Sequence, residues 1–138
     1  EGVDDTDMAE ATDEPVAAPV EVPILTLLAS ANFDKGATVF RKCSSCHVAI
    51  KDGANKIGPG LWDIVNKDIG SKDDYKYSSA MAAFEGDWTY EQLNSYLINP
   101  KKYIQGTKMS FVGLKKAKDR ANVILYLRSF SDNPAPIE

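Results

Sequence analysis

The chain has 138 residues, of which 43% are hydrophobic and 26% charged, a composition typical of one globular domain with residues to spare. Its longest apolar-rich run, Ile24 to Ala29, is far shorter than the roughly 20 residues that a membrane helix needs. The net charge of −4 is unevenly divided, because residues 1–23 hold eight acidic and no basic side chains, which leaves 12 acidic against 16 basic residues in 24–138.

The N-terminal segment is predicted to be an acidic, Ala/Pro-rich flexible tether. Pro15, Pro19 and Pro23 alternate with Ala and Val, and such composition buries little apolar surface. The segment lacks the basic and apolar regions of a signal peptide, so we expect a processed product or a chain cut below an anchor. The predicted domains are a tether over residues 1–31 and a folded domain over 32–138; a tail without function is the alternative.

Helical signals begin at residue 32. Asn32 or Asp34 is expected to cap a first helix, and its apolar face repeats at helical spacing. Apolar clusters predict a short helix over residues 61–65 and another over 79–84, closed by Gly86. The residues that form the apolar face of the first helix are Phe33, Ala37 and Phe40.

Two further helices are predicted in the C-terminal half. Thr89 and Gln92 form a capping box for a helix that ends before Asn99-Pro100. The last helix is expected over about residues 115–130, with Val123, Tyr126, Leu127 and Phe130 on one face. No segment alternates as a strand would, so the predicted fold class is all-α.

The motif Cys43-Ser44-Ser45-Cys46-His47 has the C-x-x-C-H pattern of covalent haem attachment. Two intervening residues let one turn of helix present both thiols to the two haem vinyl groups, and the adjacent histidine then lies beneath the iron. A zinc site would need four protein ligands, but the chain has two Cys and one His in all. A thioredoxin-like pair would need an α/β fold, and a disulfide over so short a span would restrain little.

A second axial ligand must come from elsewhere, because the chain has a single histidine. The candidates are three methionines, a lysine amine or an open position. Met8 lies in the predicted tether, and Met81 has the helical spacing of a residue that fills a core gap. Met109 follows Gly106 on a loop between two helices, and a thioether opposite an imidazole is the axial pair of cytochromes c. We therefore favour Met109.

Residues 96–109, YLINPKKYIQGTKM, resemble the methionine-ligand segment of class I c-type cytochromes, the mitochondrial cytochrome c and bacterial cytochrome c2 type. The resemblance covers about residues 32–130. It implies the class I cytochrome c fold, in which short helices wrap one haem c held by Cys43 and Cys46, with iron between His47 and Met109.

The resemblance also implies roles by position. Gly36 and Phe40 resemble residues that pack on Tyr126 where the first and last helices cross. Pro59 resembles the acceptor of a hydrogen bond from the proximal imidazole. The other implied haem-pocket residues are three propionate donors, Tyr77, Trp88 and Thr107, then Tyr96 at the methionine sulfur and Phe111 at the haem edge.

Three positions depart from the family pattern. Lys67 replaces a frequent arginine and so supplies a point charge in place of a bidentate fork. Gln105 replaces the usual proline of the methionine loop. Met81 stands where a polar amide often organises internal water.

Six lysines cluster in the sequence around Met109. They are expected to form a positive ring at the haem edge that attracts acidic partners, and nucleic-acid binding is disfavoured because no recognition motif is present. A solvated charged face without a partner is the alternative. The lysines are Lys101, Lys102, Lys108, Lys115, Lys116 and Lys118.

The predicted function is one-electron transport in a respiratory chain, from a quinol-oxidising cytochrome bc1 complex to a terminal cytochrome c oxidase. A haem peroxidase or a gas-sensing module is the alternative, and no enzymatic activity is expected. Leu27 to Ala31, after the acidic segment, resemble the membrane-anchored cytochrome c552 group. We therefore expect a monomer in the bacterial periplasm, tethered by an N-terminal anchor that precedes this sequence; a mitochondrial location is less favoured.

Overall fold

The computed structural model describes residues 22–137, which form an all-α domain. Residues 1–21, including Met8 and most of the predicted tether, lie outside the described residues. The described part contains no strand, only a single antiparallel bridge between Asp68 and Asp87. The helices are α1 (Ile24–Ala29), α2 (Phe33–Phe40), α3 (Ser79–Ala83), α4 (Tyr90–Ile98), α5 (Pro100–Tyr103) and α6 (Ala117–Arg128).

The crossing of α2 and α6 is the main helix contact. A Cβ atom on Gly36 would collide with the backbone carbonyl of Asn122, so only glycine lets the two backbones approach this closely. The Phe40 and Tyr126 rings pack beside this point with centroids 5.2 Å apart. The Asn122 side-chain oxygen accepts a hydrogen bond from the Asn32 N–H at 2.8 Å. The predicted first helix, its Asn32 cap and the close crossing at Gly36 are confirmed.

Helix α1 differs from the expectation that residues 24–31 belong to the tether. Ile24 and Leu28 are only 4% and 2% exposed, and α1 packs against α6 and α4. Residues four apart lie on the same face of a helix, so this short segment buries two large side chains at once. The folded unit therefore begins at least eight residues earlier than the predicted boundary at residue 32.

The end of α4 is followed directly by a new helix. Thr89 Oγ1 accepts from the Gln92 N–H at 3.1 Å, as the capping box predicts, and α4 ends at Ile98 before Asn99-Pro100. Asn99 then caps α5 through its side-chain oxygen. Pro100 occupies the first helical position, where the N–H that proline lacks would have no partner within the helix. The sequence predicted the end of α4 but gave no indication that α5 follows it.

The predicted helix over residues 61–65 is wrong. Asp63 and Asn66 have φ angles of +59° and +68°, which interrupt a right-handed helix. Their N–H groups bond distant carbonyls, Asp63 to Phe130 and Asn66 to Trp88, each at 2.8 Å. The segment is therefore a series of turns that joins the end of α6 to the start of α4.

Helix α6 is the last helix of the described residues and is tied to the preceding loop by a buried arginine. Arg120 is 2% exposed, and its guanidinium donates to the Leu114 carbonyl at 2.8 Å and the Lys115 carbonyl at 3.0 Å. The helix predicted over about residues 115–130 is confirmed with shorter ends. Among residues 22–137, none of the helices combines the length and apolarity needed to cross a bilayer.

Candidate haem-binding site

A cavity of about 500 Å³ lies inside this fold. Its volume is within the usual range of cofactor and ligand pockets. Much of its lining is apolar and aromatic, including Leu61, Leu93 and Leu127. All ten residues that the sequence assigned to cofactor binding line it: Cys43, Cys46, His47, Pro59, Tyr77, Trp88, Tyr96, Thr107, Met109 and Phe111.

The two cysteines lie on a turn that continues from the end of α2. The Cys43 N–H donates to the Phe40 carbonyl at 2.7 Å, and the N–H groups of Cys46 and His47 return to the Cys43 carbonyl at 3.0 and 2.9 Å. Burial, together with the neighbouring Cys46, raises the pKa of Cys43 to about 11, so its sulfur is a thiol at neutral pH. Both sulfurs are half-buried at the cavity wall and are not joined to each other.

The imidazole of His47 is held by the loop that follows the motif. Its Nδ1 lies 2.8 Å from the Pro59 carbonyl, which can only accept, so the proton is on Nδ1 and Nε2 keeps a free lone pair. Burial lowers the pKa of His47, with the Pro59 hydrogen bond opposing, so the ring is neutral. A Cβ atom on Gly58 would collide with this ring. The hydrogen bond implied for Pro59 is present.

Tyr75 anchors this loop, and sequence reasoning missed it. Its hydroxyl donates to the Ile57 carbonyl at 2.6 Å, directly before Gly58 and Pro59. Asn55 closes the other side of the loop by accepting from the Gly60 N–H at 2.8 Å. Because both contacts involve backbone groups of a turn, no spacing in the sequence marks them.

The sulfur of Met109 is held by a tyrosine of α4. The Tyr96 hydroxyl, on α4, donates to Met109 Sδ at 3.3 Å. Since that hydroxyl has one proton, Thr107 Oγ1, 3.0 Å away, must donate to Tyr96 and in turn accepts from the Met109 N–H at 3.3 Å. Burial raises the pKa of Tyr96, so the donor proton is retained at neutral pH.

Met81, the other described methionine, also lines the cavity and is half-buried. Within residues 22–137 no hydroxyl or N–H donates to its sulfur. The expectation that Met81 fills a gap agrees with its partial burial. Met109 is thus the methionine whose sulfur the fold orients.

Two polar side chains that line the cavity each have a hydrogen-bond donor without an acceptor among residues 22–137. Trp88 is 7% exposed, yet no acceptor among residues 22–137 lies within reach of its indole N–H. The Tyr77 hydroxyl accepts from the Lys72 N–H at 3.0 Å, which leaves its own proton to donate. Buried donors without partners are costly, so this wall suits a ligand that carries acceptors. That these two residues bind a haem propionate stays a prediction.

The residues of the cavity fit a covalently attached haem. Two thiols, a neutral imidazole with a free Nε2 and an oriented thioether line one apolar space, and unpaired donors lie where a carboxylate can accept from them. Across the described part of the chain, no three His, Cys, Asp or Glu side chains come together as a metal cluster. The zinc alternative therefore has no support there.

The lysines around Met109 lie on two segments of the chain, which a backbone hydrogen bond holds together. The Leu114 N–H donates to the Leu97 carbonyl at 2.7 Å, which places the loop before α6 against the end of α4 and the start of α5. All six lysines are exposed, and none forms an ion pair with a carboxylate of residues 22–137. We call this set the lysine surface: Lys101, Lys102, Lys108, Lys115, Lys116 and Lys118.

The surface adjoins the cavity. Lys108 lines the cavity beside Met109 and Phe111, and its ammonium donates to the Lys76 carbonyl at 2.8 Å. Val112, the next residue after Phe111, is 74% exposed, so the chain reaches solvent at this point. Lys108 therefore places a positive charge of the lysine surface at one edge of the cavity.

Comparison with known proteins agrees with this geometry. The family model described as "Cytochrome c" matches residues 33–131. A cytochrome c of Gibberella zeae is 47% identical over 102 residues, which cover 73% of this chain and 96% of that protein.

Two bacterial relatives are longer than this chain. A cytochrome c homolog of Rickettsia bellii is 43% identical over 124 residues, covering 90% of this chain and 70% of that protein. The cytochrome c-type cyt cy of Rhodobacter capsulatus is 44% identical over 111 residues, covering 80% of this chain and 54% of that protein.

Proposed function

The chain belongs to the cytochrome c family as a class I c-type cytochrome, and on this premise we propose that it carries single electrons from a cytochrome bc1 complex to a terminal cytochrome c oxidase. Members of this family are electron carriers that hold haem c covalently. Here Cys43 and Cys46 would supply the two thioether bonds. The bound haem supplies an iron that takes up and releases one electron.

The axial ligands that we propose are His47 and Met109. Pro59 fixes the tautomer and the plane of the imidazole, so Nε2 would be the nitrogen available to bind the iron. Tyr96 and Thr107 orient the thioether of Met109. The orientation of Met109 by Tyr96 is the observation that carries the proposal, because a carrier needs two strong protein ligands that stay in place in both oxidation states.

The same observation disfavours the peroxidase and gas-sensing alternatives. Both need an open or easily vacated position on the iron. The sulfur of Met109, which Tyr96 orients by a hydrogen bond, would occupy that position. A peroxidase also needs a distal acid or base, and His47 is the only histidine of the chain. We therefore propose no enzymatic activity. Adding carbon monoxide to the reduced protein should change the spectrum little.

The lysine surface is the proposed docking site for acidic faces of both partners. Long-range attraction accelerates encounter, and exposed ion pairs are weak enough to release the partner after transfer. These lysines are exposed and have no carboxylate partner among residues 22–137, which supports this role. No role in nucleic-acid binding is proposed.

The test is the ionic-strength dependence of electron transfer to a purified oxidase. Lys102→Gln should slow the second-order reaction roughly two- to five-fold at low salt, because one attractive charge is lost. Lys35→Gln, at an exposed position of α2, changes the net charge equally and should leave the rate within about 1.5-fold of wild type. A rate that does not depend on salt, or equal effects of both variants, would reject docking at this surface.

We also propose that the chain works outside the cytoplasm as a monomer, in the bacterial periplasm, with the acidic N-terminal segment linking the domain to a membrane anchor. The support is covalent haem attachment and the acidic, Pro-rich composition before α1. Fractionation of cells that express the intact gene tests it. Recovery of the protein with the membranes is expected, whereas recovery with the soluble periplasmic fraction would contradict the anchor.

A further inference from the structure

Two aspartates lie directly opposite each other at the antiparallel bridge between Asp68 and Asp87. The backbone hydrogen bonds of this bridge run between their neighbours and not between the aspartates themselves, which defines a non-hydrogen-bonded pair. In such a pair the two side chains are on the same face, with Cβ atoms about 4.5–5.5 Å apart. The two bonds join the Ile69 N–H to the Gly86 carbonyl at 2.9 Å and the Trp88 N–H to the Lys67 carbonyl at 2.8 Å.

The two carboxyl groups interact strongly at this separation. Like charges directly opposite each other destabilise a ladder, and two carboxylates that share a site do not both ionise freely. The hydrogen bond with Asp68 is the main cause that raises the pKa of Asp87 above its ordinary value of 3.8, followed by partial desolvation and the Asp68 charge. The two groups therefore titrate as a pair, and the upper step of the pair lies above pH 3.8.

The charge of this pair is not neutralised by a fixed cation. Neither carboxylate has an ion-pair partner among residues 22–137. Lys67 donates through Nζ to the Trp62 carbonyl at 3.4 Å, and Lys72 pairs with Asp74 at 3.0 Å. The charge of the pair is thus free to change with pH. The other charged groups of the neighbouring segments are Asp63, Asp73, Lys76, Glu85, Glu91 and Arg128.

The pair adjoins the cavity proposed to hold haem. Asp68 lines the cavity, as does Trp88, the residue that follows Asp87. A cavity of about 500 Å³ is on the order of 10 Å across. A charge inside the cavity would consequently act on the pair over about that distance, while the exposed carboxyl groups exchange protons with water.

We propose that Asp68 and Asp87 form a proton-binding pair whose charge is coupled to the oxidation state of the bound haem. When the iron accepts one electron from a donor protein, the site loses one positive charge, and the pair takes up a fraction of a proton from water at a carboxyl oxygen. When the electron passes to the acceptor, that fraction returns to water. The inference rests on the proposed carrier function only in needing a haem in the cavity.

The direction of the coupling follows from the charges. Ferric iron disfavours the added proton more than ferrous iron does, so the pair binds the proton more tightly in the reduced protein. Two unit charges about 10 Å apart, at a high effective dielectric constant, change each other's binding constant about two- to four-fold. At 59 mV per tenfold change, this corresponds to about 20–35 mV for one electron. The carrier thereby becomes a better electron acceptor as its surroundings become more acidic.

The shared titration is tested by solution NMR of the carboxyl carbons in the reduced, haem-containing protein. Both aspartates should report one common step above pH 3.8, and Asp87→Asn should remove that step from Asp68. Glu85→Gln removes an exposed carboxylate two residues before Asp87, changes the net charge equally and should leave the step in place. Independent titration of the two aspartates, or loss of the step in Glu85→Gln, would overturn the proposal.

The coupling to haem is tested by the reduction potential measured between about pH 4 and pH 7, where the upper step of a carboxyl pair falls. In the wild type and in Glu85→Gln the potential should rise by about 20–35 mV as the pH falls through the step that NMR defines. In Asp87→Asn it should not rise there. A rise that persists in Asp87→Asn would assign the proton to another group, such as a carboxylate of the haem, and a flat wild-type profile would show that the pair is not coupled; either result contradicts the proposal.

These measurements separate the inference from the proposed function. Neither of them involves a partner protein, so a failure of docking at the lysine surface would leave the titration step and its loss in Asp87→Asn unchanged. Conversely, a pair that titrates without affecting the potential would reject the coupling and leave the proposed carrier function as it stands.

Discussion

The hydroxyl of Tyr96 donates a hydrogen bond to the sulfur of Met109 across 3.3 Å. The two residues are 13 positions apart, one on α4 and the other on the loop before α6, so the contact joins two segments that line the cavity. Thr107 completes the arrangement by donating to Tyr96. If Met109 binds the iron, as proposed, a donor at its sulfur would withdraw electron density from the thioether and would favour the reduced state.

Replacing Tyr96 by Phe should lower the reduction potential of the haem. The ring stays in place, but the donor to the sulfur is lost, so the ferric state becomes relatively more stable. A hydrogen bond worth about 0.5–1 kcal/mol between the two states corresponds to about 20–40 mV for a one-electron couple. Spectroelectrochemical titration measures the shift, with Tyr103→Phe as the control because Tyr103 does not line the cavity. An unchanged or raised potential in Tyr96→Phe would refute this role.

The stability of the wild type relative to Tyr96→Phe should depend on pH in the alkaline range. Burial raises the pKa of Tyr96 above its ordinary value of 10.0, and Thr107 offsets part of this. The folded state therefore binds the proton more tightly than the unfolded state. The resulting stabilisation is complete below pH 10 and is lost as the pH rises through the folded-state pKa. Denaturant midpoints measured from pH 7 to 11 should converge only above pH 10; a constant difference would contradict the raised pKa.

Gly36→Ala should destabilise the protein without removing haem. The new methyl group would meet the Asn122 carbonyl where α2 crosses α6, and the helices must move apart. Overpacking at such a site costs about 1–3 kcal/mol. Chemical denaturation of the holoprotein measures the loss. Lys35→Ala, one residue earlier and exposed, should lie within about 0.5 kcal/mol of wild type. Equal stabilities for the two variants would show that the crossing tolerates a side chain.

Tyr75→Phe should loosen the loop that orients His47. The hydroxyl bond to the Ile57 carbonyl is lost, and because this carbonyl is near the surface water can replace the donor, so the cost is about 0.5–1 kcal/mol. Amide hydrogen exchange should rise at Gly58, whose N–H bonds the Cys46 carbonyl. Exchange at Met109 should remain as in wild type. Faster exchange at both positions, or at neither, would show that Tyr75 does not act on this loop.

The residues proposed to bind haem could be recognised in the sequence because the chemistry of attachment constrains their spacing. Thioether attachment requires two cysteines at a fixed spacing with a histidine beside them, and Cys43, Cys46 and His47 use all the residues of those types in the chain. Met109 was favoured among three methionines by its place on a loop. The structure adds the reason that spacing could not supply, namely the hydroxyl of Tyr96 at its sulfur.

Other features depend on tertiary contacts that local patterns do not record. Helix α1 has six residues and no side-chain cap, so its helical state depends on burying Ile24 and Leu28 against α4 and α6. Residues 61–65 show the reverse case, in which the apolar spacing predicted a helix that the structure does not contain. There the positive φ angles of Asp63 and Asn66 are stabilised by hydrogen bonds to distant carbonyls. Tyr75 was missed for the same reason, since its partner is a backbone carbonyl 18 residues away.

The proposed ligation of the iron by Met109 is tested most directly by the optical spectrum of the oxidised protein, in which sulfur ligation produces a weak long-wavelength band. The band should be present in the wild type at neutral pH, absent in Met109→Ala and retained in Met81→Ala, the matched control from the same cavity. That result would establish Met109 as the ligand opposite His47 and support the carrier function. A band that survives in Met109→Ala, or that is absent from the wild type, would contradict the ligand assignment and return the enzyme and sensor alternatives.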